Sequence, residues 1–262
     1  MCSFVLHYHI YIGMKKILLG ITGASGQIYA SKLVEVVNGM GVGQQIKLDL
    51  VFTDTAKVVW EDELGRKVPE GNMNSKIESK MESKMEGKME SKLESKMESK
   101  MESKLESKME GKMESKLESK LESKMEGKME GKMEGEQFGV LDNNSYYHPY
   151  ASGSNAADVM IIMPCTMGTI GRIASGATSD LLTRAADVML KERRPLIIVP
   201  RETPFNLIHL RNLTTLAEAG AIIAPASPSF YTHPQDMAEL IDTFVRRILN
   251  IAGLEVDLKR FK

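Results

Sequence analysis

Short, mostly apolar runs recur along this chain, and each is followed by a stretch with helical periodicity. The runs are "KKILLGITG", "QIKLDLVFT", "ADVMIIMP", "PLIIVP" and "AIIAP". An apolar run of this length, rich in β-branched residues and bounded by glycine or proline, reads as a strand buried on both faces. The stretches between them are "GQIYASKLVEVVNGMG", "DTAKVVWEDELG", "TMGTIGRIASG", "DLLTRAADVMLKERR", "PFNLIHLRNLTTLAEAG" and "PQDMAELIDTFVRRILNIAG". They read as helices with glycine or proline at their ends, and Pro204 is expected near the first position of the fifth. Strands alternating with helices predict an α/β domain with a mostly parallel sheet covered on both faces. Ligands of such sheets bind at the carboxyl ends of the strands, so the chemistry is sought there.

One segment breaks the alternation. From Ser75 to Glu134 the chain repeats a single tetrad, (Ser/Gly)-Lys-(Met/Leu)-Glu, with Ile77 in the first copy. Its residues favour helix. A period of four, however, sets Lys against Lys and Glu against Glu along each ridge. The apolar stripe also drifts about 40° per tetrad around a helix, so no stable face forms. A solvated, partly helical excursion is the first reading, and an ordered hairpin or partner-binding arm is the second. A long surface insertion costs little in closure entropy. The expected organisation is an extension over 1–13, a domain in two parts over 14–71 and 137–262, and a low-complexity insertion over 72–136. Met14 directly precedes the first strand run, so the extension reads as an upstream start or a loose arm.

Net charge is −1, which calls for neither nucleic acid nor an acidic membrane surface. Two cysteines are too few for a disulfide framework or a metal cluster. The apolar extension is too short to span a bilayer, and it lacks the basic start of a signal peptide. A cytoplasmic location is expected.

Four strand ends offer chemistry. In "GITGASGQIYA", Gly20, Gly23 and Gly26 let backbone amides approach a phosphate at a helix N-terminus, and Ser25 adds a hydroxyl. The spacing differs from that of dinucleotide enzymes, and the second strand ends in Thr53 and Thr55 rather than an acid, which favours a mononucleotide. A tight turn needing glycine for packing is the plainer alternative. In "IIMPCTMGTIG", Pro164 ends a strand, Thr166 and Thr169 bracket a turn, and Cys165 is read as a buried thiol. In "LLTRAADVMLKERRPLIIVPRETPF", Arg184 and Lys191 lie two turns apart with Asp187 between them, so an anion site and a surface ion-pair ladder both fit. Arg201 and Glu202 follow at the strand end, where a carboxylate beside an arginine suits proton transfer next to a bound anion. Glu202 as a first-turn charge complementing the helix beginning at Thr203-Pro204 is the alternative. In the last loop, "PASPSFYTHPQ" carries Tyr231, and Arg246 and Arg247 follow in the final helix. His209 and His233 have no partner at ligand spacing, so no metal is expected.

"GITGASGQIYA", "PCTMGT", "LLTRAADVMLKERRPL", "RETP" and "SFYTHPQ", in this order, resemble the UbiX-type flavin prenyltransferases. The likeness runs from Met14 to the C-terminus apart from the tetrad tract. It implies a flavodoxin-like, Rossmann-like sheet and transfer of a dimethylallyl group from dimethylallyl phosphate to N5 and C6 of reduced FMN. The prenylated FMN would serve a UbiD-type decarboxylase. The resemblance further implies that FMN is held by Gly23, Ala24, Ser25, Thr53, Thr166, Met167, Gly168, Thr169 and Arg184. Lys191, Arg201, Tyr231 and Arg247 would grip the prenyl phosphate. Glu202 and Ser25 would handle protons, without a metal, in a homo-oligomer expected to be a dodecamer. Thr53 and Thr166 replace the family's more usual serines and keep the hydroxyl, and Gly168 is a further difference. Two other readings remain: an FMN-binding regulatory protein without turnover, and an FMN-dependent decarboxylase of the phosphopantothenoylcysteine type. The second would want an Asn-bearing motif where "PCTMGT" stands.

Overall fold

The computed structural model of the chain describes residues 14–40, 46–69 and 138–258. The tetrad tract, the expected boundaries of the insertion and the first 13 residues lie outside them. Each apolar run becomes a strand: β1 (Lys15–Ile21), β2 (Ile46–Phe52), β4 (Val159–Cys165), β5 (Leu196–Pro200) and β6 (Ile222–Ile223). A strand not expected from the sequence, β3 (Phe138–Leu141), joins them just after the tract. All pairings are parallel, in the order β3-β2-β1-β4-β5-β6. The predicted flavodoxin-like, Rossmann-like sheet is therefore present. Its strand order reverses at β1, so the ligand crevice of such a sheet opens between the ends of β1 and β4.

The helices are α1 (Gln27–Asn38), α2 (Asp54–Leu64), α3 (Met167–Ala174), α4 (Leu181–Lys191), α5 (Leu207–Glu218) and α6 (Met237–Ile251). Alternate residues of the strands face opposite layers. Ile17, Leu19 and Ile21 of β1 pack with Leu33 of α1, Trp60 of α2 and Phe244 of α6. Leu18 of the same strand packs with Ile170 of α3, Leu182 of α4 and Leu216 of α5. Burying such aliphatic side chains contributes about 1.5–3 kcal/mol each, which is why continuous apolar runs insist on a double-sided sheet.

Two boundaries differ from the sequence reading. β4 runs past Pro164 to Cys165, with its register against β5 shifting between Ile162 and Cys165, where proline has no N–H for the ladder. Pro204 lies outside α5. That helix starts at Leu207, and the Asn206 side chain accepts the His209 N–H in a capping box. Glu202 is therefore not a first-turn charge.

β1 is also tied to the last helix, since the Lys15 ammonium donates to the carbonyls of Ala252 (2.9 Å) and Gly253 (2.8 Å) at the C-terminus of α6. A cation there satisfies orphan carbonyls and complements the helix dipole. Lys15→Met is expected to cost about 1 kcal/mol. Thermal unfolding should then show a midpoint lowered by about 2–4 °C.

Candidate functional site

The glycine turn after β1 forms as expected, with Gly26 at φ 102° acting as the N-cap of α1. A side chain would be strained there. Gly23 is held by crowding: a Cβ on it would lie 2.4 Å from the Thr55 methyl and 2.7 Å from its Cβ. The amides of Gly26 and Gln27 open toward the positive end of α1 and are engaged within the chain. The Glu63 carboxylate, from the last turn of α2, accepts Gly26 N–H at 2.9 Å and Gln27 N–H at 2.8 Å. It also takes a hydrogen bond from the Ser25 side chain. Across the turn, Arg201 Nε donates to the Ser25 carbonyl at 2.8 Å. Burial alone would raise the Glu63 carboxyl, but Ser25, the two amides and the Arg201 charge outweigh it and hold the group below the ordinary carboxylate value. Ser25, Arg201 and Glu63 thus form one cluster at the end of β1. Glu63 was not found from the sequence.

The neighbouring β4 end is stitched to it by Thr22. Its buried hydroxyl donates to the Pro164 carbonyl (2.8 Å) and accepts Thr166 N–H (2.8 Å). Thr53 and Thr166 stand at the ends of β2 and β4, as expected, and both cap helices. Thr53 accepts Ala56 N–H at 3.2 Å and Thr166 accepts Thr169 N–H at 3.1 Å. Thr166 and Thr169 hydroxyls are 2.9 Å apart, and Arg172 of α3 reaches Thr169 while pairing with Asp180 at 2.6 Å. Met167 and Thr169 are buried, and Gly168 is exposed, a Cβ on it meeting nothing nearer than Thr166 Oγ1 at 4.0 Å. Ala24 is buried within the glycine turn.

On α4, Arg184 pairs with Asp187 at 3.1 Å, and its Nε donates to the Ala151 carbonyl at 3.2 Å. Lys191 does not extend that ladder. It pairs with Glu192 at 2.6 Å instead. Glu202 accepts the N–H of its neighbour Thr203 at 3.0 Å. Tyr231 is exposed on its loop, and Arg247 donates to Asn250 along α6 at 3.3 Å. Cys165 is fully buried, and burial pushes its thiol far up, which fits the inert reading. No group of three His, Cys, Asp or Glu side chains gathers among the described residues. No helix among them is long and apolar enough to cross a membrane.

The arrangement offers hydroxyls, amides and cations at adjoining strand ends, with an ionised carboxylate against a serine. Such a set suits an anionic ligand and proton movement at Ser25.

Comparison with known proteins places the chain further. The sequence signature of the flavoprotein family matches residues 10–249. The flavin prenyltransferase UbiX of Pseudomonas aeruginosa is 50% identical over 122 residues, which are 47% of this chain and 58% of that protein. The match thus spans little more than half the length of this curated relative. The flavin prenyltransferase UbiX of Methanothermobacter thermautotrophicus is 31% identical over 247 residues, 94% of this chain and 95% of that protein. Among solved structures, AnUbiX (PadA1) in complex with FMN and dimethylallyl pyrophosphate superposes with a TM-score of 0.62. It is 27% identical and covers 95% of this chain and 97% of its own.

Proposed function

Because the chain belongs to the flavoprotein family, in its UbiX-type branch, we propose that it is a flavin prenyltransferase. It would transfer a dimethylallyl group from dimethylallyl phosphate to N5 and C6 of reduced FMN, which supplies the electron-rich acceptor. The single observation that carries this reading is the cluster of Ser25, Glu63 and Arg201 at the sheet's reversal point. Thr53, Thr166, Thr169 and Arg184, with Gly23, Ala24, Met167 and Gly168, would hold the flavin. Lys191, Arg201, Tyr231 and Arg247 would bind the donor's phosphate, and preorganised cations stabilise the charge that develops as an allylic C–O bond ionises. Ser25, Glu202 and, from its geometry, Glu63 would move protons as phosphate departs and the new ring closes. The allylic cation would need shielding from water.

A homo-oligomer, with a dodecamer as its expected form, is part of this reading. Exposed Leu207, Ile208 and Leu210 on α5 support an assembly. So are delivery of the product to a UbiD-type decarboxylase and a cytoplasmic location. The test is anaerobic incubation with reduced FMN and either dimethylallyl phosphate or its diphosphate, followed by mass spectrometry of the extracted flavin. A flavin heavier by one C5 unit is expected. Bound FMN that stays unmodified with both donors overturns the reading in favour of a flavin-binding protein without turnover.

A further inference from the structure

The segment between β3 and β4, "SYYHPYASGSNAA", contributes only the Ala151 carbonyl to the site described above. It folds as two successive 3-10 turns, Pro149–Ala151 and Gly153–Asn155, packed against α4. α4 carries Arg184 and Lys191. The first turn touches the first of these, because Ala151 supplies the carbonyl to which Arg184 Nε donates. The second turn touches the other: a Cβ on Gly153 would lie 2.0 Å from Glu192 Oε1 and 2.9 Å from Lys191 Nζ. These turns therefore lie against both cations.

Between the two contacts the chain is anchored inward. Tyr150 is 4% exposed, and its hydroxyl donates to Asp49 Oδ2 at 2.6 Å. Asp49 is 2% exposed and lies in β2, whose register is set by β1 on one side and β3 on the other. A buried carboxylate is costly without hydrogen bonds, and an O–H donor at this distance is a strong charge-assisted one. Lys47 Nζ stands 3.9 Å from the same carboxylate oxygen. His148 completes the anchor: its Nδ1 accepts Tyr150 N–H at 3.3 Å, and its ring lies 5.0 Å from the tyrosine ring. Burial and the Lys47 charge push the imidazole down to about 4, so it is neutral near pH 7 and able to accept.

We propose that Asp49 and Tyr150 are positioning residues, tying the 148–155 turns to a rigid strand so that Lys191 is held where the donor's phosphate binds and Arg184 where the flavin binds. A site on a mobile loop is aimed only as well as the contacts that fix the loop. The proposal deepens the prenyltransferase reading and rests on it for the identity of the ligand. Cutting the tether should weaken phosphate binding without changing the chemistry of a filled site.

The experiment measures the affinity of FMN-loaded protein for dimethylallyl phosphate by calorimetry, beside steady-state turnover. Tyr150→Phe is expected to weaken donor binding and raise its KM by about ten-fold, the worth of one well-placed hydrogen bond. kcat at saturation should stay within about two-fold, as for lost uniform binding. Asp49→Asn, which keeps an acceptor for the tyrosine, should retain most of the affinity. In a Lys191→Met background the Tyr150→Phe effect should shrink, because the tether acts through that lysine. If Tyr150→Phe fails to fold because the buried Asp49 carboxylate has lost this donor, the double variant Tyr150→Phe/Asp49→Asn removes that charge and is read in the same way. Donor affinity unchanged in a folded variant, or an undiminished effect without Lys191, overturns the proposal. Should wild-type protein bind FMN yet transfer nothing, the prenyltransferase reading falls, and inorganic phosphate replaces the donor as the probe. An affinity equal in wild type and Tyr150→Phe then sinks the tether as well.

Discussion

Glu63→Gln is expected to lower prenyl transfer by about 10²-fold or more while leaving FMN bound. The substitution keeps the side chain's length and one acceptor, so the amides of Gly26 and Gln27 retain a partner. What it removes is the negative charge that meets the Ser25 hydroxyl and faces Arg201. If Glu63 were only a cap for α1, a neutral acceptor would preserve turnover and lower stability slightly. The two roles therefore separate in one pair of measurements, kcat and thermal midpoint. The pH dependence adds a sign. The folded group titrates below its ordinary value near 4.5, so its contribution to stability is complete above that value and is lost as pH falls through the depressed one. The stability gap between wild type and Glu63→Gln should be present at pH 7 and close on the acid side of about pH 4. A gap independent of pH would remove the charge from the explanation. Glu202→Gln, measured alongside, tests the other carboxylate, whose hydrogen bond is to its own neighbour.

Glu63 shows where sequence reasoning stopped. "DTAKVVWEDELG" was legible as a helix, and the structure caps it with Thr53 and closes it with Gly65 in the left-handed conformation. Its acidic last turn looks like an ordinary solvated end. Only the parallel pairing of β1 with β2 brings that turn beside a helix start 37 residues earlier. Asp49 and Tyr150 are likewise 101 residues apart, on opposite sides of the repeat tract, and no local spacing links them. The strands whose runs are continuous and apolar were readable because double-sided burial leaves no polar alternation. β3, four residues long, carries too little pattern to separate it from a loop. The start of α5 was misplaced for a different reason. Pro204 is the more conspicuous helix-start signal, but Asn206 with His209 three residues on makes the capping pair that the helix uses. The threonines and Arg201 were legible as candidates because strand ends are where this architecture puts its ligands, and Arg184 and Lys191 because they lie two turns apart on one helix. Their hydrogen-bond partners were not.

The glycine turn makes the second large prediction, because Gly23 is fixed by sterics rather than by its φ. A methyl group there would overlap the Thr55 methyl at 2.4 Å and Thr55 Cβ at 2.7 Å, and the backbone carbon of Thr55 lies at 3.4 Å. Cβ sits on the backbone of α2 and has no rotamer to escape into, so relief requires α2 to move away from β1. Overpacking of this kind costs about 1–3 kcal/mol. For Gly23→Ala the thermal midpoint is expected to fall by several degrees, at about 2–4 °C per kcal/mol. The functional loss should be larger than the loss of stability. α2 carries both Thr53 at its cap and Glu63 in its last turn, so a displaced helix shifts the hydroxyl proposed to hold the flavin and the carboxylate on Ser25 together. Flavin affinity, read from FMN fluorescence quenching, and turnover should therefore both drop. Thr55→Ala removes the nearer of the two overlaps and leaves the second, so the double variant should recover part of each loss while Thr55→Ala alone is close to neutral. The recovery is the coupling term of a double-mutant cycle. Losses that simply add would mean that Gly23 is needed for close approach of the ligand to the backbone, and that its packing against α2 is incidental.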